Sequence, residues 1–226
     1  MIVVIFFALG AYLFGSIPTA YILVRLFKGV DIRKLGTGTV GGSNAGQVLG
    51  KWAAVVVGLL DIAKGALPAL LAQHAGLTLG EQMAIGLATI AGHNWSVFLG
   101  FQGGRGLATI VGVLLALAPL ELLMFIIIAV LGIGIFRDVP LFMGLATLLL
   151  PVWSLSFEEP TAITAGCLGM VILTAAKRLL GNHFGNLPHK GKAQTLFNRL
   201  LFDRDCRERA PWVHGAPPQE GASKPG

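Results

Sequence analysis

Two glycine-rich segments carry the residues of this 226-residue chain that could do chemistry, and each lies between long apolar runs. The first glycine loop, residues 36–46, reads GTGTVGGSNAG, and the second glycine loop, residues 102–106, reads QGGRG. Glycine allows successive backbone N–H groups to turn inward and form a nest that binds an anion. We therefore expect both loops to bind phosphate.

The other residues of the two loops support this expectation. The planar guanidinium of Arg105 suits phosphate oxygens, and a helix that begins after a loop directs its positive end toward a bound anion. We assign catalytic roles to Asn44 and Arg105, and substrate-phosphate binding to Thr37, Gly38, Gly41, Gly42, Ser43, Gly103, Gly104 and Gly106. The alternatives are a flexible connector for the first loop and a tight turn with one orienting arginine for the second.

Asp61, Lys64 and His93 are ionisable residues within apolar segments. Asp61 and Lys64 are three residues apart, on one face of a predicted helix, so they could pair. Ionisable groups in a membrane are costly and usually face the interior of a helix bundle. The pair either pins two helices together or offers the charge of Lys64 to a phosphate. His93, predicted two turns into the membrane from the second loop, is either a packing residue or a catalytic proton acceptor.

The composition places the chain in a membrane. Hydrophobic residues make up 54% of it and charged residues only 12%, whereas soluble domains have about 25% charged residues. The mean hydropathy is +0.75. No cleavable signal pattern precedes the first apolar run. We therefore predict an all-α, polytopic membrane protein that binds membrane lipid and not nucleic acid.

Hydropathy predicts about seven transmembrane helices, since a helix needs about 20 apolar residues to cross a bilayer. Pro119 divides a run that is too long for one span. The predicted spans are residues 2–27, 52–73, 82–100, 107–118, 121–136, 139–156 and 161–177.

The charges of the connections predict the orientation. Lysine and arginine are concentrated in 28–51, 101–106, 137–138 and the tail, whereas the opposite connections, 74–81, 119–120 and 157–160, have neither and contain Glu81, Glu158 and Glu159. Because basic loops stay in the cytoplasm, the N-terminus is expected outside and the C-terminus inside. Residues 1–180 form the predicted membrane domain and 181–226 a polar, basic, partly disordered cytoplasmic tail. Within that tail, 196–204 is predicted as an amphipathic surface helix or a frayed extension.

The sequence lacks the signature motifs of several enzyme classes. The sequence has no Gly-x-Ser-x-Gly elbow, no His/Cys cluster with metal spacing and no phosphate-binding loop that ends in lysine. It also lacks a histidine followed four residues later by aspartate, the signature of soluble-type glycerolipid acyltransferases. We therefore expect no metal and no cofactor.

Two segments resemble motifs of a known family. Residues 36–44 (GTGTVGGSN) resemble Gly-Ser-Gly-Asn-x-Gly-Ala-Thr-Asn, and 92–109 (GHNWSVFLGFQGGRGLAT) resemble Gly-His-x-x-Pro-Val-Phe-x-Gly-Phe-Lys-Gly-Gly-Lys-Gly-Val-Ala-Thr. Both motifs belong to the bacterial membrane-integral acyl-phosphate:glycerol-3-phosphate acyltransferases, the PlsY family. The segments 15–26, 29–33 and 61–65 also match, and the resemblance extends over residues 10 to about 181.

The resemblance implies an activity and a topology. Family members have seven spans with the N-terminus outside and transfer a fatty acyl group from acyl phosphate to the 1-hydroxyl of glycerol 3-phosphate. The product is lysophosphatidic acid, the first intermediate of phospholipid synthesis. The expected location is the bacterial inner membrane, and the expected functional partner is an enzyme that produces acyl phosphate. Lys64, Arg105 and Arg178 would supply the positive charge for the two phosphates.

The chain departs from the family pattern at several positions. Thr39, Gln47, Ser96, Gln102 and Arg105 replace Asn, Arg, Pro, Lys and Lys. The third motif, His-Arg-x-Asn-Ile-x-Arg-Leu-Leu-x-Gly, keeps Arg178, Leu179 and Leu180, while its His and Asn fall on Ile172 and Ala175. Asn182 or His183 are candidates to replace them. The alternatives to an active enzyme are therefore an impaired paralogue that binds lipid or phosphate, and an organic-phosphate transporter.

Overall fold

The computed structural model describes residues 2–136, 138–181 and 192–203, and all regular structure in these ranges is helical. The α-helices are α1 (Ile2–Ser16), α2 (Thr19–Lys28), α3 (Gly42–Leu49), α4 (Lys51–His74), α5 (Leu79–Asn94), α6 (Leu107–Leu117), α7 (Pro119–Phe136), α8 (Val139–Ser156), α9 (Thr161–Leu180) and α10 (Lys192–Phe202). Two 3-10 turns, Ile32–Lys34 and Val97–Leu99, lie between them. The predicted all-helical membrane class is confirmed.

Each of the seven predicted spans contains a helix. In the described ranges, five stretches are long and apolar enough to cross a membrane: α1 with α2, α4, α7, α8 and α9. Helix α6 is a shorter apolar helix of 11 residues, and α5 has 16 residues. The predicted division at Pro119 is correct, because α7 begins at that proline and only Ala118 separates it from α6.

The first span is broken, which the sequence analysis did not predict. Helix α1 ends at Ser16 and α2 begins at Thr19, with Ile17 and Pro18 between them. Proline has no N–H to donate and its ring clashes with the preceding turn of a helix. At the break, the Ile17 carbonyl accepts hydrogen bonds from the Thr19 N–H at 3.1 Å and from Lys64 Nζ at 2.9 Å.

The third span is shorter than predicted. Helix α5 begins with a capping box between Thr78 and Glu81 and ends at Asn94, not at residue 100. The placement of His93 two turns away from the second glycine loop is therefore wrong. The Gly104 N–H donates to the His93 carbonyl at 3.1 Å, so the loop lies directly on the end of α5.

Glycines bring two pairs of helices into backbone contact. A Cβ atom on Gly15 of α1 would overlap the Thr89 carbonyl of α5, and one on Gly92 would overlap the Tyr12 carbonyl. Helices α4 and α6 meet in the same way, through Gly65 against Thr109 and Gly112 against Ile62. Small residues allow this close approach in membrane bundles, where van der Waals packing and hydrogen bonds hold helices together.

Helices α5 and α9 run in the same direction. Gly166 packs on Met83, Gly169 on Leu87 and, farther along both helices, Lys177 lies over Trp95. The buried core on this side includes Ile90, Ile110, Val113, Leu114, Leu150 and Met170. Large apolar side chains cover the outer faces; Val130, for example, is 62% exposed, as expected for a surface that faces lipid.

The tail contributes one described helix. Helix α10 covers 192–202, whereas the sequence predicted 196–204, and it packs on α8 and α9. Asp203 directly follows it. Arg137, Asn182, His183 and the expected disordered end at 215–226 lie outside the described residues.

Candidate functional site

A small pocket lies at the break between α1 and α2. Val40 of the first glycine loop and Gly103 of the second both line it, and the Val40 N–H donates to the Gly103 carbonyl at 3.5 Å. The two loops therefore meet at one place, as expected for segments that act together. The other lining residues are Gly15, Ser16, Ile17, Pro18, Thr19, Lys64, His93 and Ser96.

The charged side of the pocket is built on α4. Lys64 Nζ lies 3.0 Å from Asp61 Oδ1, and both side chains are 4% exposed. The predicted pair between these residues is therefore confirmed. Asp61 Oδ1 also accepts a hydrogen bond from Thr19 Oγ1 at 2.7 Å. The carboxylate thus fixes the ammonium at the pocket wall and ties α2 to α4.

His93 faces the same carboxylate from α5. Its Nδ1 lies 3.6 Å from Asp61 Oδ1. On its other side, a Cβ atom on Gly104 would overlap His93 Nε2 and lie 2.7 Å from the Val40 carbonyl. Glycine at position 104 is thus required by close packing. Since the Gly104 N–H already donates to the His93 carbonyl, this amide is not the free nest donor that the sequence analysis expected.

Two hydroxyls hold α1 against the turn that follows α5. Ser96 Oγ donates to the Ser16 carbonyl at 2.5 Å, and the Tyr12 hydroxyl donates to the Trp95 carbonyl at 2.8 Å. Sequence reasoning did not select Thr19 or Ser96 as site residues. Pro18, which predicts a helix break inside an apolar run, was the available signal for this region.

Asn44 is fully buried and organises the first glycine loop. Its Nδ2 donates to the carbonyls of Ile32, Leu35 and Thr39 at 3.2, 3.0 and 2.9 Å. Its Oδ1 accepts from the Thr37 N–H at 3.2 Å. All of its polar atoms are therefore engaged within the chain, so the structure gives Asn44 a role in positioning the loop. The catalytic role assigned to it stays a prediction.

The second half of the first glycine loop is helical. Helix α3 begins at Gly42, with Gly41 as its N-cap, so Gly42 and Ser43 lie in the first turn and not in an open nest. The first N–H groups of a helix have no partner within it and remain available to an anion. Before the helix, the hydroxyls of Thr37 and Thr39 are 2.8 Å apart, and Gly38 has a positive φ of 68°.

Arg105 is paired in the structure. Its Nε lies 2.8 Å from the Asp203 carboxylate, and its Nη1 donates to the Lys177 carbonyl at 3.3 Å. Gly106, the N-cap of α6, follows with a positive φ of 74° and lies close to the Asn94 side chain. Asp203 is 98 residues from Arg105, so local sequence pattern does not reveal this pair.

Arg178 faces main-chain carbonyls. Its guanidinium donates to Leu200 and Leu201 at 2.7 and 3.3 Å, and to Pro140 at 2.6 Å. It does not line the pocket. The structure therefore uses Arg178 to hold the ends of α8, α9 and α10 together, and its assignment to a substrate phosphate stays a prediction.

Arg33 is a further link that sequence reasoning did not select. Its guanidinium donates to both Asp31 oxygens, to the Leu99 carbonyl and to Gln102 Oε1. It thus connects the start of the first glycine loop to the second. The hydrogen bonds from Arg33 hold the pKa of the Asp31 carboxyl below its ordinary value.

Comparison with known proteins gives a consistent result. The model of the glycerol-3-phosphate acyltransferase family matches residues 5–187. A Dehalococcoides mccartyi protein called glycerol-3-phosphate acyltransferase 5 is 39% identical over 229 positions, which cover 97% of this chain and 97% of that protein. Glycerol-3-phosphate acyltransferase 2 of Moorella thermoacetica is 51% identical over 114 positions, covering 50% of this chain and 57% of that one.

Two solved structures are similar to the fold. Both are of PlsY (YgiH), an integral membrane glycerol 3-phosphate acyltransferase. Its glycerol 3-phosphate form has a TM-score of 0.73 and 32% identity, over 77% of this chain and 88% of that one. Its lysophosphatidic acid form has a TM-score of 0.72 and 29% identity, over 88% and 93%.

Proposed function

Because this chain belongs to the glycerol-3-phosphate acyltransferase family and is an integral membrane acyltransferase, we propose that its acyl donor is acyl phosphate. The 1-hydroxyl of glycerol 3-phosphate attacks the acyl carbonyl carbon, a new ester C–O bond forms, and the acyl–phosphate C–O bond breaks. The products are lysophosphatidic acid and inorganic phosphate. The donor is a mixed anhydride and already activated, so the protein mainly has to align the two substrates.

The pocket at the α1–α2 break is the observation that carries this proposal. It has an ammonium from Lys64 and an imidazole from His93, and both glycine loops meet beside it. We propose that Lys64 and the first glycine loop, including the first turn of α3, bind one substrate phosphate. Arg105 and the second glycine loop bind the other. Orientation of two reactants can lower a barrier by about 7–11 kcal/mol.

The proton from the attacking hydroxyl goes to a phosphate oxygen of the substrates in this scheme. His93 is the alternative acceptor, because its imidazole lines the pocket and its Nδ1 side faces Asp61. Backbone N–H groups that face the acyl carbonyl would stabilise the oxyanion, an effect of about 3–4 kcal/mol per donor in other enzymes.

The proposed location is the bacterial cytoplasmic membrane, with the N-terminus outside and the C-terminus in the cytoplasm. Helices α5 and α9 run in the same direction, which agrees with their being the third and seventh of seven spans. The side is inferred from charge. The connections that carry Lys51 and Arg105 are basic, and basic connections remain on the cytoplasmic side. An enzyme that produces acyl phosphate would supply the donor there.

Purified protein in detergent or lipidic mesophase would be given palmitoyl phosphate and glycerol 3-phosphate. Inorganic phosphate and lysophosphatidic acid should appear in equal amounts. Arg105→Ala should abolish transfer while the protein still inserts normally. Phosphate release without the lipid product would indicate hydrolysis and contradict the proposal. Binding of glycerol 3-phosphate without turnover would instead favour the impaired paralogue.

A further inference from the structure

The side chain of Lys177 on α9 is completely buried, and its ammonium has no hydrogen-bond partner among the described residues. The ammonium lies over the Trp95 ring, whose centroid is 5.6 Å from Nζ. A cation–π contact compensates only a small part of the free energy needed to remove an ammonium from water. Among the described residues, no carboxylate hydrogen-bonds to the Lys177 ammonium.

The charges around Lys177 do not balance. The Arg105 guanidinium donates to the Lys177 carbonyl, which brings a second cation to the same place. Asp203 is the carboxylate that pairs with Arg105, at 2.8 Å. Lys177 and Arg105 thus have only the Asp203 carboxylate near them among the described residues. The next residue, Arg178, donates to main-chain carbonyls and adds no negative charge. One further anion, or a dianion in place of Asp203, would neutralise the cluster.

Other polar groups without a hydrogen-bond partner lie on α9 and on the neighbouring helix α5. Both polar atoms of the Asn94 side chain are buried without a partner in the described chain, and Asn94 directly precedes Trp95. Thr174 Oγ1, one turn before Lys177 on α9, is also unpartnered. Buried polar groups are normally hydrogen-bonded, so unsatisfied ones at adjoining helix ends indicate a place where a polar ligand binds.

We propose that Lys177 and Arg105 form a binding site for the phosphoryl group of a substrate, with Lys177 as a substrate-binding residue. This inference rests on the proposed function, which places one substrate phosphate at Arg105 and the second glycine loop. Phosphate suits the site because a guanidinium fork and a compact ammonium can share its oxygens. Lys177 then supplies the charge that the sequence analysis assigned to Arg178. The phosphoryl group belongs either to acyl phosphate or to glycerol 3-phosphate.

The test compares full-length Lys177→Met and Lys177→Arg with wild type. Methionine keeps the length of the side chain without its charge, and Lys28→Met, at an exposed lysine, is the matched control. Each substrate is varied while the other is saturating. Loss of a charge-assisted hydrogen bond should raise KM for one phosphate substrate about tenfold or more in Lys177→Met. Lys177→Arg should recover much of that affinity, and Lys28→Met should behave as wild type.

The substrate that responds identifies the source of the phosphoryl group. An increase in KM confined to palmitoyl phosphate assigns the site to the donor, and one confined to glycerol 3-phosphate assigns it to the acceptor. Unchanged KM values for both in a folded Lys177→Met protein, or a fall in kcat alone, would overturn the proposal.

A binding measurement separates this inference from the proposed function. The thermal shift of the detergent-purified protein is measured with glycerol 3-phosphate and with dodecyl phosphate, a non-transferable monoalkyl phosphate. At least one ligand should stabilise wild type but not Lys177→Met. If that pattern appears without any transfer by wild type, the site stands and the proposed function fails. If wild type transfers acyl groups and Lys177→Met is stabilised equally, the site is wrong and the function stands.

Discussion

The ammonium of Lys64 is held between the Asp61 carboxylate, 3.0 Å away and one turn earlier on α4, and the Ile17 carbonyl at the break in the first span. The lysine is thereby fixed at the wall of the pocket by one charged and one neutral acceptor. A buried ammonium is stable only with such partners, so this pair serves both the fold and the charge of the site.

Two variants of this pair separate its role in stability from its role in binding substrate. Asp61→Asn leaves Lys64 buried without its counter-charge and should destabilise the protein by about 3–5 kcal/mol. Asp61→Asn with Lys64→Met removes both charges and should recover most of that stability, but not acyl transfer. Unfolding in detergent and turnover are measured on the same samples. Activity in the stable double variant would show that Lys64 does not bind substrate.

Asn44 offers a test of positioning against direct catalysis. Its Nδ2 faces three carbonyls, so Asn44→Asp would place a carboxylate oxygen against them. Asn44→Ala leaves those groups and the Thr37 N–H unsatisfied, at about 1–3 kcal/mol for each buried group that finds no water. We therefore expect Asn44→Asp to lose at least as much stability and activity as Asn44→Ala. Greater activity in the aspartate variant would instead indicate direct contact of residue 44 with substrate.

The contact between the second glycine loop and α5 predicts a strong effect at Gly104. A methyl group there overlaps His93 Nε2, so Gly104→Ala should displace the loop and lower turnover, with a loss of stability of about 1–3 kcal/mol. Gly58→Ala is the control, because nothing lies within 4 Å of a Cβ atom at that position of α4. It should be neutral or stabilise the helix by up to about 1 kcal/mol. Equal melting temperatures for the two variants would contradict the packing argument.

The pair between Asp31 and Arg33 predicts a dependence of stability on pH. Because Arg33 lowers the pKa of Asp31 in the folded state, the carboxylate stabilises the fold above the unfolded pKa of about 4. That contribution is lost as the pH falls through the lower, folded pKa. The difference in melting temperature between wild type and Asp31→Asn should thus be largest near neutral pH and shrink below about pH 4. A difference that grows toward acid pH would show the opposite shift.

Hydropathy and spacing predicted those parts of the molecule that depend on short stretches of chain. The seven apolar segments follow from the distribution of apolar residues along the chain, and the pairing of Asp61 with Lys64 follows from the i, i+3 spacing. The division at Pro119 follows from the chemistry of proline. Each of these features involves residues that are close along the sequence.

The sequence-based predictions were wrong or incomplete where distant segments of the chain meet, and where a glycine-rich stretch forms a helix. Helix α3 begins inside a glycine-rich loop because Gly42 and Gly46 let it pack against Ala54 of α4, a tertiary contact that overrides the low helix propensity of glycine. His93 was placed too deep because the second glycine loop folds back onto the end of α5. Arg105 pairs with Asp203, which follows α10, and Arg178 donates to carbonyls of α8 and α10, so local pattern could not reveal either set of partners.

The glycine contacts of the bundle also restrict the path of the fatty acyl tail. At Gly15 and Gly92, and again at Gly65 and Gly112, there is no space for a single added methyl group. A polymethylene chain therefore cannot pass between α1 and α5, or between α4 and α6, at those levels. The hydrocarbon of a donor that arrives from the bilayer must therefore lie in another gap of the bundle. The α1–α5 and α4–α6 contacts limit the routes by which lipid reaches the reacting carbonyl.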